Sequence, residues 1–435
     1  MKPRTIIKRI IPVALFHKIE PFGHLVEAVL ANVRYGFPAR KLRIIGVTGT
    51  NGKTTTSSLI HRMLHEANIN VAITTTVCYG VGSDITPQVE HITTAQAGVL
   101  QKRLRDFARA GAEWVVVETS SHSLAQHRIW GIPYEVAVMT NVTHDHLDYH
   151  GTFKRYIDAK RRLFTLANKR GLRVGVVNAD DPSAEIFTKS IKNAVTYGIT
   201  SGDLRAEKVK LNSDHSKFKA RIGDDVYNLR VNIPGEFNVS NAMAAVLVGR
   251  QLGLTKSQIE KGISALEGVE GRMTVVNEGQ PFKVIVDFAS TPDGFEKFFE
   301  SMRPLVKGKL IAVFGSAGRR DEKKRAIQGN IAARYADIVI ATEEDDRDEP
   351  SARILRQIAS GAVRGGKVKG ETLFLEPKRE VAIGYAMTFA TSSDDAVVLL
   401  GKGHEKTIER ADGEHPWNDV EVARSALQAL LGQSN

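Results

Sequence analysis

The segment Gly46-Val47-Thr48-Gly49-Thr50-Asn51-Gly52-Lys53-Thr54-Thr55-Thr56 gathers three glycines, a lysine and a run of hydroxyls. Glycines let a backbone curl until its N–H groups face anionic oxygens, and a helix beginning there adds the positive end of its dipole. In that arrangement Lys53 supplies a point charge for the β- and γ-phosphates of a nucleotide, and the Thr54 hydroxyl is placed to hold Mg²⁺. The common form of such a loop has a glycine five residues ahead of Gly52, where this chain has Val47. A short Gly-x-x-Gly-Lys-Thr run also arises by chance in loops, so the flanking elements decide its meaning.

Those elements are the required ones. Leu42 to Val47 is an apolar strand and Thr54 to Ala67 a helical stretch, so the loop joins a strand to a helix. Strands are predicted at Val71–Thr75, Trp114–Glu118, Val136–Thr140 and Arg173–Val177, with helical stretches such as Ala95–Ala110 and Phe153–Asn168 beside them. That alternation predicts a parallel α/β sheet. Residues 204–233 alternate in short runs, as in an antiparallel edge hairpin, before helices at Asn238–Leu252 and Thr255–Leu266. After Gly271-Arg272 the pattern restarts, with strands at Lys283–Asp287, Lys309–Phe314, Ile338–Ala341 and Ala396–Leu400. The predicted class is α/β: a P-loop, parallel-sheet ATPase domain over 43–271, a smaller Rossmann-like α/β domain over 272–435, and a short basic helical segment over 1–42.

Composition narrows the function classes. Of 435 residues, 42% are apolar and 25% charged, values of a folded globular chain. The single cysteine, Cys78, excludes an internal disulfide and zinc sites built on cysteine pairs. No apolar run is long enough to span a bilayer, and the N-terminus is a poor signal peptide, so a cytoplasmic location is expected. The net charge of +11 is local: residues 1–43 hold nine Lys/Arg and two acids, a net of +7. Nucleic acid is a poor partner, because no binding motif or aromatic stacking platform accompanies the charge. Residues 4–11, Arg-Thr-Ile-Ile-Lys-Arg-Ile-Ile, form an amphipathic piece stopped by Pro12, and Leu25, Val26, Val29, Leu30 and Val33 mark a second helix. A basic arm of this kind suits a diphosphate or peripheral membrane contact through residues 1–20. The plainer alternative is a solvated helix packed on the central domain.

Longer motifs follow the loop: His91-Ile92-Thr93-Thr94, Glu118-Thr119-Ser120-Ser121-His122, Asn141 to Gly151 (Asn-Val-Thr-His-Asp-His-Leu-Asp-Tyr-His-Gly) and Ala159-Lys160. Then come Gly235 to Ala242 (Gly-Glu-Phe-Asn-Val-Ser-Asn-Ala), Gly271-Arg272-Met273 and Gly401-Lys402-Gly403-His404-Glu405. In type and order, from about residue 43 to 425, these resemble the Mur ligases, and most of all their UDP-N-acetylmuramoyl-tripeptide synthetase branch. The resemblance implies ATP-dependent amide formation through an acyl phosphate, with ATP and Mg²⁺ required. It implies catalytic roles for Lys53, Glu118, His146 and Lys160, and ATP binding by Gly49, Thr50, Asn51, Gly52, Lys53, Thr54, Thr55, Asn238 or Asn241, and Arg272. The metal ligands implied are Thr54, Glu118 and His146, with Lys160 supporting a second Mg²⁺ if carbamylated. In isolation Lys160 reads as a helix-surface lysine within a basic run.

For the acceptor, a UDP-muramoyl-dipeptide-like molecule, the resemblance points to Thr93, Thr94, Ser121, Gln126 and Arg128. For the incoming diamino acid it points to Arg320, Asp345, Arg347, Gly401 and Glu405. Thr342-Glu343-Glu344-Asp345-Asp346-Arg347 aligns with the amino-acid-selecting motif, read Asp-Asn-Pro-Arg in diaminopimelate-adding members, and keeps only its arginine in place. Arg347 favours the distal carboxylate of diaminopimelate; the acids around it favour a lysine-like side chain. A monomer is expected.

Two departures bear on the reading. The family's Asp-Tyr-Ala-His-Thr-Pro-Asp appears as Asp287-Phe288-Ala289-Ser290-Thr291-Pro292-Asp293, without the tyrosine hydroxyl and the imidazole. Members also carry a domain that grips uridine diphosphate ahead of the ATP strand, where 42 residues stand here. The expectation is therefore that UDP is held weakly, or that the acceptor is carried differently, for example on a lipid. A folylpolyglutamate-synthase-like ligase and a basic membrane- or nucleic-acid-binding protein are the competing readings.

Overall fold

Arg43–Thr48 forms strand β1, five of its six residues buried, because both faces of the sheet are covered. In the computed structural model, which describes residues 13–88, 90, 92–212 and 214–432, β1 lies inside an eleven-stranded sheet. The other strands are β2 (Val71–Thr74), β3 (Cys78–Val81), β4 (Asp84–Pro87), β5 (Trp114–Glu118), β6 (Tyr134–Met139), β7 (Val174–Asn178), β8 (Asn193–Gly198), β9 (Leu204–Leu211), β10 (Ser216–Ile222) and β11 (Asp225–Val231). Their order is β11-β10-β9-β8-β7-β6-β1-β5-β2-β3-β4. The run from β9 to β2 is parallel, and both wings are antiparallel.

The chain leaves β1 toward β2 and leaves β6 toward β7, so these neighbours form the topological switch point. In an open α/β sheet the crevice at their carboxyl ends is where ligands bind. The loops after the two strands are tied there: Thr50 N donates to Asn141 O at 2.8 Å, and Thr140 Oγ1 to Asn51 O at 2.6 Å.

The second sheet comprises β12 (Thr274–Val276), β13 (Lys283–Asp287), β14 (Leu310–Phe314), β15 (Ile338–Ala341), β16 (Leu373–Leu375) and β17 (Ala396–Leu400), in the order β12-β13-β17-β14-β15-β16. All but β12 are parallel. A hairpin of β18 (Thr407–Arg410) and β19 (Gly413–Pro416) stands apart. Helix Glu236–Gln251 is buried along most of its length, with Val239 and Ala242 to Val248 fully buried, and one continuous core runs past it from the first sheet to the second.

Several local expectations change. Residues 204–233 form a three-stranded meander rather than a hairpin, because β10 pairs antiparallel with both β9 and β11, and β9 joins the sheet by pairing in parallel with β8. The β3–β4 hairpin was not predicted; its residues are half-buried or exposed and lack a one-sided pattern. The helix read from Leu25 to Val33 runs over Val13–Tyr35, continuing through Pro21 and ending where Gly36 and Phe37 take positive φ. Residues 4–11, and the side chains of 1–19, lie outside the described residues.

Candidate active site

Gly49 and Gly52 show why the loop has its composition. Both have positive φ, 155° and 81°. A Cβ on Gly49 would stand 1.8 Å from Thr140 Oγ1, and one on Gly52 2.3 Å from Asn241 Oδ1. The loop is therefore closed by glycine-only contacts, with Lys53 and Thr54 opening the helix Lys53–Glu66 at its carboxyl side. Val47 lies upstream of these contacts, inside β1, buried and paired with Glu118 of β5.

That pairing brings the carboxylate of Glu118 to the loop. Thr54 Oγ1 donates to its two oxygens at 3.2 and 3.1 Å, and Thr76 donates through N at 2.9 Å and Oγ1 at 3.0 Å. Arg272, from the connection into the second sheet, approaches the same threonine, its Nη2 3.2 Å from Thr54 Oγ1. Its guanidinium also lies over the Phe288 ring at 4.5 Å, and that ring meets His404 at 4.9 Å. The aromatic substitution at 288 thus packs the seam between the two sheets.

A cleft of about 760 Å³ separates the two halves. Residues 50–55, Thr93, Glu118, His146, Asn241 and Arg272 line it on one side, and Arg320, Asp345, Arg347, Gly401 and Glu405 on the other. A direct bond crosses it, from Asn51 Nδ2 to Asp293 Oδ2 at 2.7 Å. Asp293 belongs to the altered 287–293 motif, whose Thr291 caps the helix Pro292–Met302.

Lys160 departs most from its isolated reading. It is 1% exposed, not a surface lysine, and its Nζ donates to Gly49 O at 2.6 Å, 4.4 Å from the Tyr156 ring centre. Burial, and next the charge of Lys53, hold its pKa well below the usual lysine value. Burial likewise lowers Lys53, against the pull of Glu118 and Asp145; its Nζ rests on Thr50 O at 2.7 Å.

Other predicted residues divide. Asn238 does not line the cleft: its side chain bonds Pro234 O at 2.8 Å and takes a bond from Asn241 at 3.0 Å, leaving Asn241 as the lining member. Thr94 and Arg128 are buried against each other, Nη1 to carbonyl at 2.5 Å, with Thr94 Oγ1 donating to Glu118 O at 2.9 Å. Ser121 Oγ lies 3.1 Å from His150 Nε2, and Gln126 meets Tyr149. His146 pairs with Asp145 at 3.2 Å and touches the His122 ring at 4.7 Å. Arg347 is committed to Glu409 Oε2 at 2.8 Å and Gly318 O at 2.5 Å, and Glu405 to Lys402 at 2.5 Å. Gly401 has φ 104°, and a Cβ there would reach 2.6 Å from Glu344 Oε2.

Sequence reasoning missed Thr76, Tyr156 and Lys402. Tyr156 Oη lies 3.0 Å from Thr50 Oγ1, and Lys402 Nζ is 2.7 Å from Asp345 Oδ1. Thr76 and Tyr156 carry no local signal; Lys402 stood inside a quoted motif.

Comparison with known proteins agrees with this geometry. A model of the Mur ligase middle domain matches residues 47–249, and one of the Mur ligase glutamate ligase domain matches residues 271–403. The chain is 40% identical over 424 residues to the UDP-N-acetylmuramyl-tripeptide synthetase of Roseiflexus sp. strain RS-1, covering 94% of this chain and 83% of that one. The solved structure of a UDP-N-acetylmuramoyl-L-alanyl-D-glutamate–2,6-diaminopimelate ligase superposes with a TM-score of 0.63 at 33% identity, over 90% of this chain and 79% of the other. The folylpolyglutamate synthase of Mycobacterium tuberculosis gives a TM-score of 0.73 over 94% of this chain and 95% of that chain, but at 16% identity, a likeness of fold alone. With its P-loop, strand-end carboxylate and hinge arginine meeting at one threonine, the chain belongs to the Mur ligase family of ATP-dependent amide ligases.

Proposed function

We propose that the chain joins a diamino acid to the terminal carboxylate of a UDP-muramoyl dipeptide, in the cytoplasm, at the expense of ATP. The observation that carries this reading is the convergence of Thr54, Glu118 and Arg272 on the floor of a cleft whose far wall bears both arginines and carboxylates. In the proposed reaction an oxygen of the acceptor carboxylate attacks the γ-phosphorus, ADP leaves, and an acyl phosphate forms. The amine then attacks the acyl carbon, the bond to phosphate breaks, and the amine gives up a proton.

This chain's residues suit both steps. Lys53 exchanges the Thr50 carbonyl for phosphate oxygens, and Arg272 meets charge on the transferring group. The Thr54 hydroxyl and Glu118 carboxylate are hard oxygen donors beside the phosphate loop, a set that fits Mg²⁺, with His146 at the rim. When bound, Mg²⁺ neutralises charge between the nucleotide and the acceptor carboxylate. Burial and the neighbouring charge of Lys53 favour the neutral amine of Lys160, the form that adds CO₂ to give a carbamate and a proton. Thr93, Ser121 and Gln126 are assigned to the acceptor peptide, with Thr94 and Arg128 positioning their loop. The proposed amino acid is diaminopimelate, its distal carboxylate taken by Arg347 in exchange for Glu409. A lysine-like substrate is the second reading, favoured by Glu344, a buried carboxylate lining the cleft.

The test is phosphate release from ATP with each diamino acid in turn, given a UDP-muramoyl dipeptide or a lipid-linked dipeptide. Release is expected only with the UDP-linked acceptor and a diamino acid together. Release without an acceptor, or none with any amino acid, overturns the reading.

A further inference from the structure

The helix Val13–Tyr35 packs with its small and polar side chains inward. His24, Ala28, Ala31 and Asn32 are buried, at 4%, 0%, 7% and 0% exposure. Asn32 fastens this face by donating to Trp130 O at 2.9 Å, and the Arg105 guanidinium lies 4.9 Å from the Tyr35 ring centre. The outer face is apolar: Phe22, Val26, Leu30 and Val33 are 70%, 58%, 63% and 62% exposed. At about 100° per residue these four share one stripe, opposite the buried set. A surface helix ordinarily has the reverse arrangement. None of the four lines the catalytic cleft.

The surrounding charge selects the occupant. In sequence, residues 1–43 carry nine Lys/Arg against two acids; among the described residues Arg34 is exposed in the last turn of this helix, and Arg40 and Lys41 are exposed in the turn that follows it. With Arg34, Arg40 and Lys41 exposed toward its carboxyl end, against the one exposed acid Glu27 among the described residues of the helix, the apolar stripe matches the boundary layer of an anionic bilayer, where acyl chains take the stripe and headgroups the cations. A second copy of the chain fits poorly, because pairing the stripes would bring two segments of net +7 together. The stripe is also small for that purpose: roughly 500 Å² of apolar surface, against about 800 Å² per partner in a standard interface. Among the described residues no helix is long and apolar enough to cross a membrane, so the contact lies along the surface.

We propose that the outer face of helix Val13–Tyr35, through Phe22, Val26, Leu30 and Val33, docks the protein on anionic lipid. The inference is independent of the ligase reading, since it concerns a surface away from the cleft.

The experiment is flotation of the full chain with vesicles of phosphatidylglycerol and phosphatidylcholine, or phosphatidylcholine alone, at low and high salt. Binding is expected to anionic vesicles only, weakening with salt. The double substitution Val26→Glu, Leu30→Glu, at exposed positions, is expected to reduce it at least tenfold with an unchanged circular dichroism spectrum and melting temperature. Charge-neutral replacement of Lys2, Arg4, Lys8 and Arg9 by Gln separates the stripe from the basic arm. Undiminished binding by the double variant overturns the proposal, whatever the arm variant does. So does equal binding to both vesicle types, or conversion of a dimer to a monomer by the double variant without loss of lipid binding.

Discussion

The Nζ of Lys160 donates to the carbonyl oxygen of Gly49 at 2.6 Å, joining helix Phe153–Ala167 to the phosphate loop across 111 positions of sequence. The amine is buried beside a second lysine, Lys53, so its protonated form is disfavoured. A buried amine placed against the loop is a chemical device rather than a stabilising one, since desolvating the charge costs more than the single bond returns.

Lys160→Met tests that statement. The folded protein gives up this proton at lower pH than the unfolded chain does, so wild-type stability gains as pH rises from the lowered folded value toward 10.5. The variant lacks that gain. Turnover is expected to fall at least about 100-fold. Melting curves from neutral pH to pH 10 should show the wild type improving relative to the variant. Parallel profiles would contradict a buried, disfavoured ammonium.

Gly49→Ala addresses the loop itself. Its φ of 155° and a Cβ 1.8 Å from Thr140 Oγ1 leave no accommodation without moving β6's outgoing loop. A loss of about 2–4 kcal/mol is expected by denaturant titration, with loss of nucleotide binding by calorimetry. Wild-type stability in this variant would mean that the loop relaxes freely.

Arg272 joins the two halves at the nucleotide. Arg272→Ala is expected to raise the KM for ATP about tenfold or more and to lower kcat, by removing a charge-assisted contact. Arg272→Lys keeps the charge and loses the fork, so it should recover part of the affinity. Equal kinetics for both variants and wild type would remove Arg272 from the site.

A buried ion pair behind the cleft wall reports on the second sheet. Arg325 donates to Glu349 at 2.7 and 2.9 Å, and these bonds pull the Glu349 pKa from 4.5 down to about 2. The folded value lies below the unfolded one, so this stabilisation is complete above 4.5 and disappears as pH falls through about 2. Glu349→Gln should lower stability at neutral pH and flatten the acid limb of the melting profile between those values. An unchanged acid limb would show that other carboxylates govern it.

Much of the site was legible because its residues lie in contiguous, chemically loaded runs. Gly49 to Thr55 declare a phosphate loop from glycine spacing, and Glu118 ends an apolar run that reads as a strand. Both are local properties, decided by backbone freedom and alternation. Thr76 and Tyr156 carry no such mark, because a threonine after a short strand and a tyrosine in a helix have many ordinary uses. Lys160 sat in a basic run that reads as solvent-facing, and the packing of its helix against β6, β1 and the helix Ser121–Ala125 buries it.

The amino-acid sequence by itself determined the strand–loop–helix unit, the two α/β halves and the location of the excess charge, since each follows from short-range periodicity and composition. The tertiary structure alone decided which distant groups share a charge environment: Lys160 with Gly49, Arg272 with Thr54, Asn51 with Asp293. It also decided which face of the N-terminal helix is buried, leaving Phe22, Val26, Leu30 and Val33 as an exposed stripe. Periodicity shows that a helix has two faces; only the surface it packs against decides which face meets solvent.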